Sequence, residues 1–208
     1  MKQILNVLLS LSCGLYATTT YAAPIQWTVG SGGNGHSYEI LLAPSGGIDW
    51  PTAQADALSR GGYLATLTSI AESDFVFDNL VDNPAFWAQN SAPFKNQLLG
   101  PWIGGLQPVG SAEPGGGWEW VNGDGTFDAT FSNWDTSEPN NFGSGEDRAL
   151  FFNNDNTPPP AEIINAWNDV ISTSLVPSYV VEYAVPEPAS CTLLALGFIA
   201  FTLRRAKN

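Results

Sequence analysis

Only two cysteines occur in the 208 residues, Cys13 and Cys191. Both sit in terminal segments whose composition marks them for processing, so the body of the chain holds no thiol. That leaves it without a disulfide framework and without a cysteine nucleophile. Positive charge is equally scarce: seven Lys and Arg stand against twenty Asp and Glu, for a net charge of −13. Nucleic acid and anionic membrane are poor partners for such a surface, because like charges repel. A divalent cation and a neutral ligand suit it better. The single histidine, His36, follows a Gly-rich turn and reads as an incidental, solvated residue.

What is present at the two ends is informative. Residues 1–23 run from Lys2 through an apolar core, Ile4–Leu15, to small residues around Ala22 and Ala23. That is the pattern of a secretory signal peptide. Ser10-Leu11-Ser12 before Cys13 fits a lipoprotein cleavage box poorly. At the other end, Pro186-Glu187-Pro188 precedes an apolar run, Cys191–Leu203, and then Arg204-Arg205. The run falls short of the roughly 20 residues of a comfortable membrane-spanning helix. This order resembles the PEP-CTERM sorting signal of exported bacterial proteins, which implies processing by an exosortase-type enzyme. An ordinary short anchor, or a buried C-terminal helix, is the plainer reading. Membrane contact is expected only through residues 186–208, and export to the envelope or extracellular matrix follows, with the anchor removed or kept.

Between the ends, residues 24–185 leave about 160 residues, enough for one domain with a core of its own. Only Arg60, Lys95 and Arg148 are basic there, while every acidic residue but Glu187 remains. Eight tryptophans and eleven phenylalanines in the chain point to an aromatic core that replaces disulfides. Alternation predicts strands over Ile25–Val29 and Ser37–Leu42, and later over Gly62–Leu67, Pro101–Leu106, Gly117–Val121, Arg148–Phe152 and Ser178–Val185. Asp49 is placed to cap a helix over Trp50–Arg60, with Trp50, Ala53, Ala57 and Leu58 on its buried face. Ser69 and Glu72 have capping-box spacing for a second helix over Ile70–Asp82, burying Ile70, Phe77, Leu80 and Val81. Two early helices followed by short strands and long connections indicate an α+β fold.

The chemistry concentrates in three motifs: Glu138-Pro139-Asn140, Gly145-Glu146-Asp147 and Trp167-Asn168-Asp169. Glu138, Asn140, Glu146, Asn168 and Asp169 are all oxygen donors, as a hard cation such as Ca²⁺ requires. A proline between two chelating side chains fixes their relative direction, most sharply when the bond before it is cis. With Trp50-Pro51-Thr52-Ala53, Gly61–Ala65, Trp102-Ile103-Gly104, Trp118-Glu119-Trp120 and Tyr179–Tyr183, these motifs make residues 37–184 resemble the C-type lectin domain. The resemblance implies an α+β C-type lectin-like fold of two helices, short antiparallel sheets and long loops. It also implies that Glu138, Asn140, Glu146 and Asn168 hold a sugar diol as well as Ca²⁺. Glu-Pro-Asn in that family goes with mannose-, glucose- or fucose-like sugars, and Gln-Pro-Asp with galactose. The ligand would be a neutral polysaccharide or surface glycan. Trp134 or Phe142 is placed to stack on a sugar ring, although Trp134 fits the core better.

Two departures stand out. The family's two disulfides would fall at Ala57, Arg148, Ser172 and Val181, none of which is cysteine. The connection before Asn168 is lengthened by Asn153–Pro160, which bears on how Asn168 and Asp169 meet the Glu-Pro-Asn loop. Asn141 stands where a second cation would want an acid. A pair of carboxylates is also what glycoside cleavage uses, but Glu138 and Glu146 are better accounted for as ligands, so no catalysis is expected. The alternative is a lectin-fold adhesion or structural protein whose partners are proteins, with the same loops shaped by turn-forming residues.

Overall fold

The computed structural model describes residues 23–90, 96–127, 131–154 and 162–185. The expected signal peptide before residue 23, the Pro-rich patch at 157–160 and the sorting segment 186–208 lie outside the described residues. Among the described residues no helix is long and apolar enough to cross a membrane.

Among the described residues nine strands form one sheet: β1 (Ile25–Gln26), β2 (Ser37–Leu42), β3 (Tyr63–Leu64), β4 (Ala88–Gln89), β5 (Leu98–Leu106), β6 (Glu119–Trp120), β7 (Glu146–Asn153), β8 (Trp167–Ile171) and β9 (Ser178–Tyr183). The main path runs β1-β2-β9-β5-β7-β8, with β3, β4 and β6 paired to its sides. All pairings are antiparallel except a single parallel contact between β5 and β9, Trp102 against Tyr179. The short antiparallel segments expected from sequence are therefore joined into one mixed sheet. Strand β8, unpredicted because Trp167–Ile171 reads as a motif rather than an alternating run, ends that path.

Side chains alternate across a strand, and the two cores follow that alternation. Tyr38, Ile40, Ala149, Phe151, Trp167 and Val180 point to one face, where the second helix adds Val76, Leu80 and Val81. Leu41, Leu150, Phe152, Val170, Tyr179 and Val181 point to the other, where the first helix adds Trp50, Ala53 and Ala57. Helix α1 (Trp50–Ser59) starts where Asp49 accepts from the Thr52 amide at 2.9 Å. Leu58, expected on its buried face, is exposed because only a narrow stripe meets the sheet.

Helix α2 (Ile70–Val76) is capped by Ser69, which accepts from Glu72 N. It passes into a π-helical turn, Phe77–Val81. The capping box is only half formed. The Glu72 carboxylate turns inward to Tyr38 Oη, Asn34 Nδ2, Thr68 N and Thr68 Oγ1. Ile70, expected in the core, is exposed, since burial of Glu72 rotates the first turn away from it.

The aromatic core is there. Trp118, Trp120, Phe127, Trp134 and Trp167 make a continuous set of ring contacts with centroids 4.2 to 6.2 Å apart. The would-be sulfur positions are filled by packing. Ala57 and Val181 are fully buried in the same cluster. Arg148 lies over the Trp50 ring at 4.6 Å, and Ser172 O accepts from Trp50 N at 3.1 Å.

Candidate functional site

The site forms at the β8 edge of the sheet. Asn133–Asp135 docks along that edge: Trp134 bridges Trp167 in parallel, Trp167 N donates to Asn133 O, and Asp135 N donates to Trp167 O at 2.8 Å. This carries the next residues, Glu138-Pro139-Asn140-Asn141, against Asn168 and Asp169. The Glu138–Pro139 peptide is cis. Asn141 takes the left-handed conformation (φ 49°), which its short polar side chain tolerates. Its Oδ1 accepts from Gly145 N at 2.6 Å and Glu146 N at 3.1 Å, closing the loop on itself. Asn141 is thus a brace of the loop.

Asn168 and Asp169 are neighbours on β8 and so leave it on opposite faces. Asn168 lines a cleft of about 420 Å³ together with Glu138, Asn140, Glu146 and the exposed Phe142 and Ile171. Asp169 is fully buried and does not line the cleft. Its Oδ1 accepts from Asn140 N at 3.0 Å and its Oδ2 from Asn141 N at 2.7 Å. Four of the five residues expected from sequence therefore meet in one cavity, and the fifth holds the backbone between them.

The electrostatics of this cluster call for positive charge. Burial, reinforced by Asp169, Glu146 and Asp135, pushes the Glu138 carboxyl up to about 8. Burial and then Asp169 push Glu146 up to about 7, and burial also raises Asp169. Glu138 Oε2 and Asn168 Oδ1 are buried acceptors with no hydrogen-bond donor. Such groups cost roughly 1–3 kcal/mol each unless something positive meets them. Among the described residues no three His, Cys, Asp or Glu side chains are grouped to hold a metal by themselves. A cation here needs the amides of Asn140 and Asn168 as well, and a mixed carboxylate–amide oxygen set is chemically apt for Ca²⁺. The residues present fit that ion.

Sequence reading missed further residues of the same cleft: Asn90, Gln97 and Asn154 line it together with Leu99, Phe152 and Val170. These amides lie in stretches rich in Asn and Pro that read only as loop, and no motif marks them. Of the two candidate stacking residues, Trp134 is half-buried in the aromatic cluster, while Phe142 is 63% exposed at the cleft.

Comparison with known proteins agrees with this architecture. Over 138 residues the chain is 30% identical to ladderlectin of Oncorhynchus mykiss, covering 64% of this chain and 56% of that protein, so it spans little more than half of the relative. Human lithostathine superposes with a TM-score of 0.51 at 16% identity, over 72% of this chain and 92% of the other. A calcium-independent type II antifreeze protein superposes with a TM-score of 0.50 at 18% identity, over 79% of this chain and 96% of that one. The chain has a C-type lectin-like fold. At its C-terminal end, residues 184–206 match the PEP-CTERM protein-sorting motif.

Proposed function

We propose that this is an exported, calcium-dependent carbohydrate-binding protein that recognises mannose-, glucose- or fucose-type diols in a neutral polysaccharide or surface glycan. The observation that carries the reading is the pair of buried acceptors without donors, Glu138 Oε2 and Asn168 Oδ1, in a cleft shared with Asn140 and Glu146. Glu138, Asn140, Glu146 and Asn168, with Asp169 behind them, would hold one Ca²⁺. The ion, when bound, supplies the charge that attracts two sugar hydroxyls. The chain's own groups supply direction: a carboxylate such as Glu138 accepts a hydroxyl proton, and an amide such as Asn168 donates one. Phe142 offers an apolar face to the ring.

Its role is binding rather than catalysis. The sorting motif supports export and delivery to the cell surface, with an exosortase-type enzyme as processing partner. There the protein would bind glycan in the envelope or exopolysaccharide matrix. The domain would comprise residues 24–185, between a signal peptide and the sorting segment.

Calorimetric titration of calcium into chelator-stripped protein tests this, with Glu138→Ala alongside. The expected result is saturable binding of about one ion that the variant abolishes, followed by calcium-dependent retention of mannose-type glycans. Absence of calcium binding would overturn the reading. A second reading draws on the lack of an all-acid metal cluster among the described residues: a lectin-fold adhesion protein with protein partners. It predicts a calcium-bound or calcium-free domain that retains no polysaccharide at all.

A further inference from the structure

Asp135 does not line the cleft, yet each of its polar atoms is engaged beside it. Its N–H donates to Trp167 O at 2.8 Å, at the start of β8, and its carbonyl accepts from Glu138 N at 3.0 Å. Its Oδ1 accepts from Thr136 N at 2.6 Å. Its Oδ2 accepts from Asn154 N at 2.8 Å, one residue past the end of β7. One residue thus joins β8, the end of β7 and the backbone of Glu138. Two N–H groups converge on its side chain. A carboxylate meets both with its two acceptor oxygens, whereas an amide has only one to offer.

Asp135 to Glu138 form a tight turn, closed by that 3.0 Å bond from Glu138 N to Asp135 O. Aspartate is a usual first residue of such turns. The third residue is Ser137, which sits in the left-handed region at φ 73°. Glycine adopts that conformation freely and serine does not, so the turn is not one its own sequence prefers. Thr136 and Ser137 are both exposed, so core packing does not impose the shape on them. The constraint comes from the two ends. On one side of Pro139, Asp169 holds Asn140 and Asn141 by their amides. On the other stands Asp135, tied to β7 and β8. A strained backbone persists where its surroundings over-determine it, and such places cluster at ligand sites.

We infer that Asp135 is a positioning residue for Glu138: by clamping the turn to β7 and β8 it holds the Glu138 backbone, and with it the carboxylate, in the cleft. This rests on the proposed calcium-dependent function and adds a residue that sets a ligand's geometry without lining the cleft. Asp135 also brings negative charge near Glu138, so position and charge have to be separated by experiment.

The test is calorimetric titration of calcium into chelator-stripped protein, wild type against four variants, at a temperature where circular dichroism shows each folded. Asp135→Asn loses one acceptor and the charge, and is expected to weaken calcium binding about tenfold or more, the usual scale for a group that orients a metal ligand. Asp135→Glu keeps the charge but sets the oxygens one methylene further out, and is expected to weaken binding by a similar factor. Ser137→Gly alone is expected to leave affinity unchanged. Combined with Asp135→Asn it is expected to recover most of the loss, because a glycine turn no longer needs the clamp. A role in folding alone would lower the melting temperature and leave the calcium affinity of the folded variants as it was, which would overturn the inference. So would wild-type affinity in Asp135→Glu, since charge would then be the operative property. A loss in Asp135→Asn that Ser137→Gly does not repair would overturn it too. Each of these outcomes leaves the calcium reading standing. Wild-type protein that binds no calcium would overturn the proposed function and this inference together.

Discussion

Asp169 grips the Glu138–Asn141 loop by its main chain, one carboxylate oxygen accepting from Asn140 N at 3.0 Å and the other from Asn141 N at 2.7 Å. An amide in its place would set an NH₂ against one of those N–H donors. Asp169→Asn is therefore expected to weaken calcium binding about 10–100-fold, the usual cost of losing a partner that orients ligands. Calorimetry reads this directly, and unchanged affinity would show that the loop is held by other means.

The raised carboxyls make a pH prediction whose sign is fixed. Glu138 holds its proton up to about 8 in the folded protein, against an ordinary value of 4.5. The folded state thus binds the proton more tightly than the unfolded state. Stability tied to this group is retained below about 4.5 and declines as pH rises toward 8. In chelator, Glu138→Gln is expected to melt with the wild type at pH 5 and above it at pH 8. Saturating calcium is expected to reverse the order at pH 8. A difference in melting temperature that stays constant across this range would contradict the assignment.

Two aromatic residues of the loop have separable roles. Trp134 packs on Trp118 at 4.8 Å and on Phe127 at 5.4 Å, so Trp134→Ala is expected to destabilise by about 3 kcal/mol, the low end for a large aromatic because it is only half-buried. Phe142 stands exposed at the cleft. Phe142→Ala is expected to leave the melting temperature unchanged and to lower glycan affinity severalfold. Equal effects of the two substitutions on melting would refute this division.

Changing the motif should change the sugar. The double variant Glu138→Gln with Asn140→Asp converts Glu-Pro-Asn to Gln-Pro-Asp, exchanging which side of the ion donates and which accepts. A shift of preference from mannose-type sugars toward galactose, read on an array with folding intact, is the expected outcome. Unaltered preference would count against direct sugar contact by these residues.

Much of this was legible beforehand, for identifiable reasons. The α1 N-cap at Asp49 and the inward alternation of β2 and β9 follow from local residue chemistry, whereas the grouping of Glu138, Asn140, Glu146 and Asn168 was implied by the resemblance to the C-type lectin domain. Other features were set by tertiary context. Glu72 left its capping role because Tyr38, Asn34 and Thr68 offered it buried donors, and that rotated Ile70 outward. β8 was hidden because Trp167-Asn168-Asp169 serves as strand and motif together. The role of Asp169 could not be read from its identity as an oxygen donor. It depends on the two-residue periodicity of a strand whose existence was not predicted. Asn154 is far in sequence from Asn90 and Gln97 and meets them only through the pairing of β4, β5 and β7.

The burial of Ala57 and Val181 in one cluster, and the stacking of Arg148 over Trp50, bear on how the domain responds to redox conditions. Links made of rings and methyl groups have no redox potential. Reductants, thiol exchange and oxidants that scramble sulfur bridges find nothing to act on between residues 24 and 185. The domain can mature on export without an oxidising catalyst, and it is expected to melt at the same temperature with or without dithiothreitol.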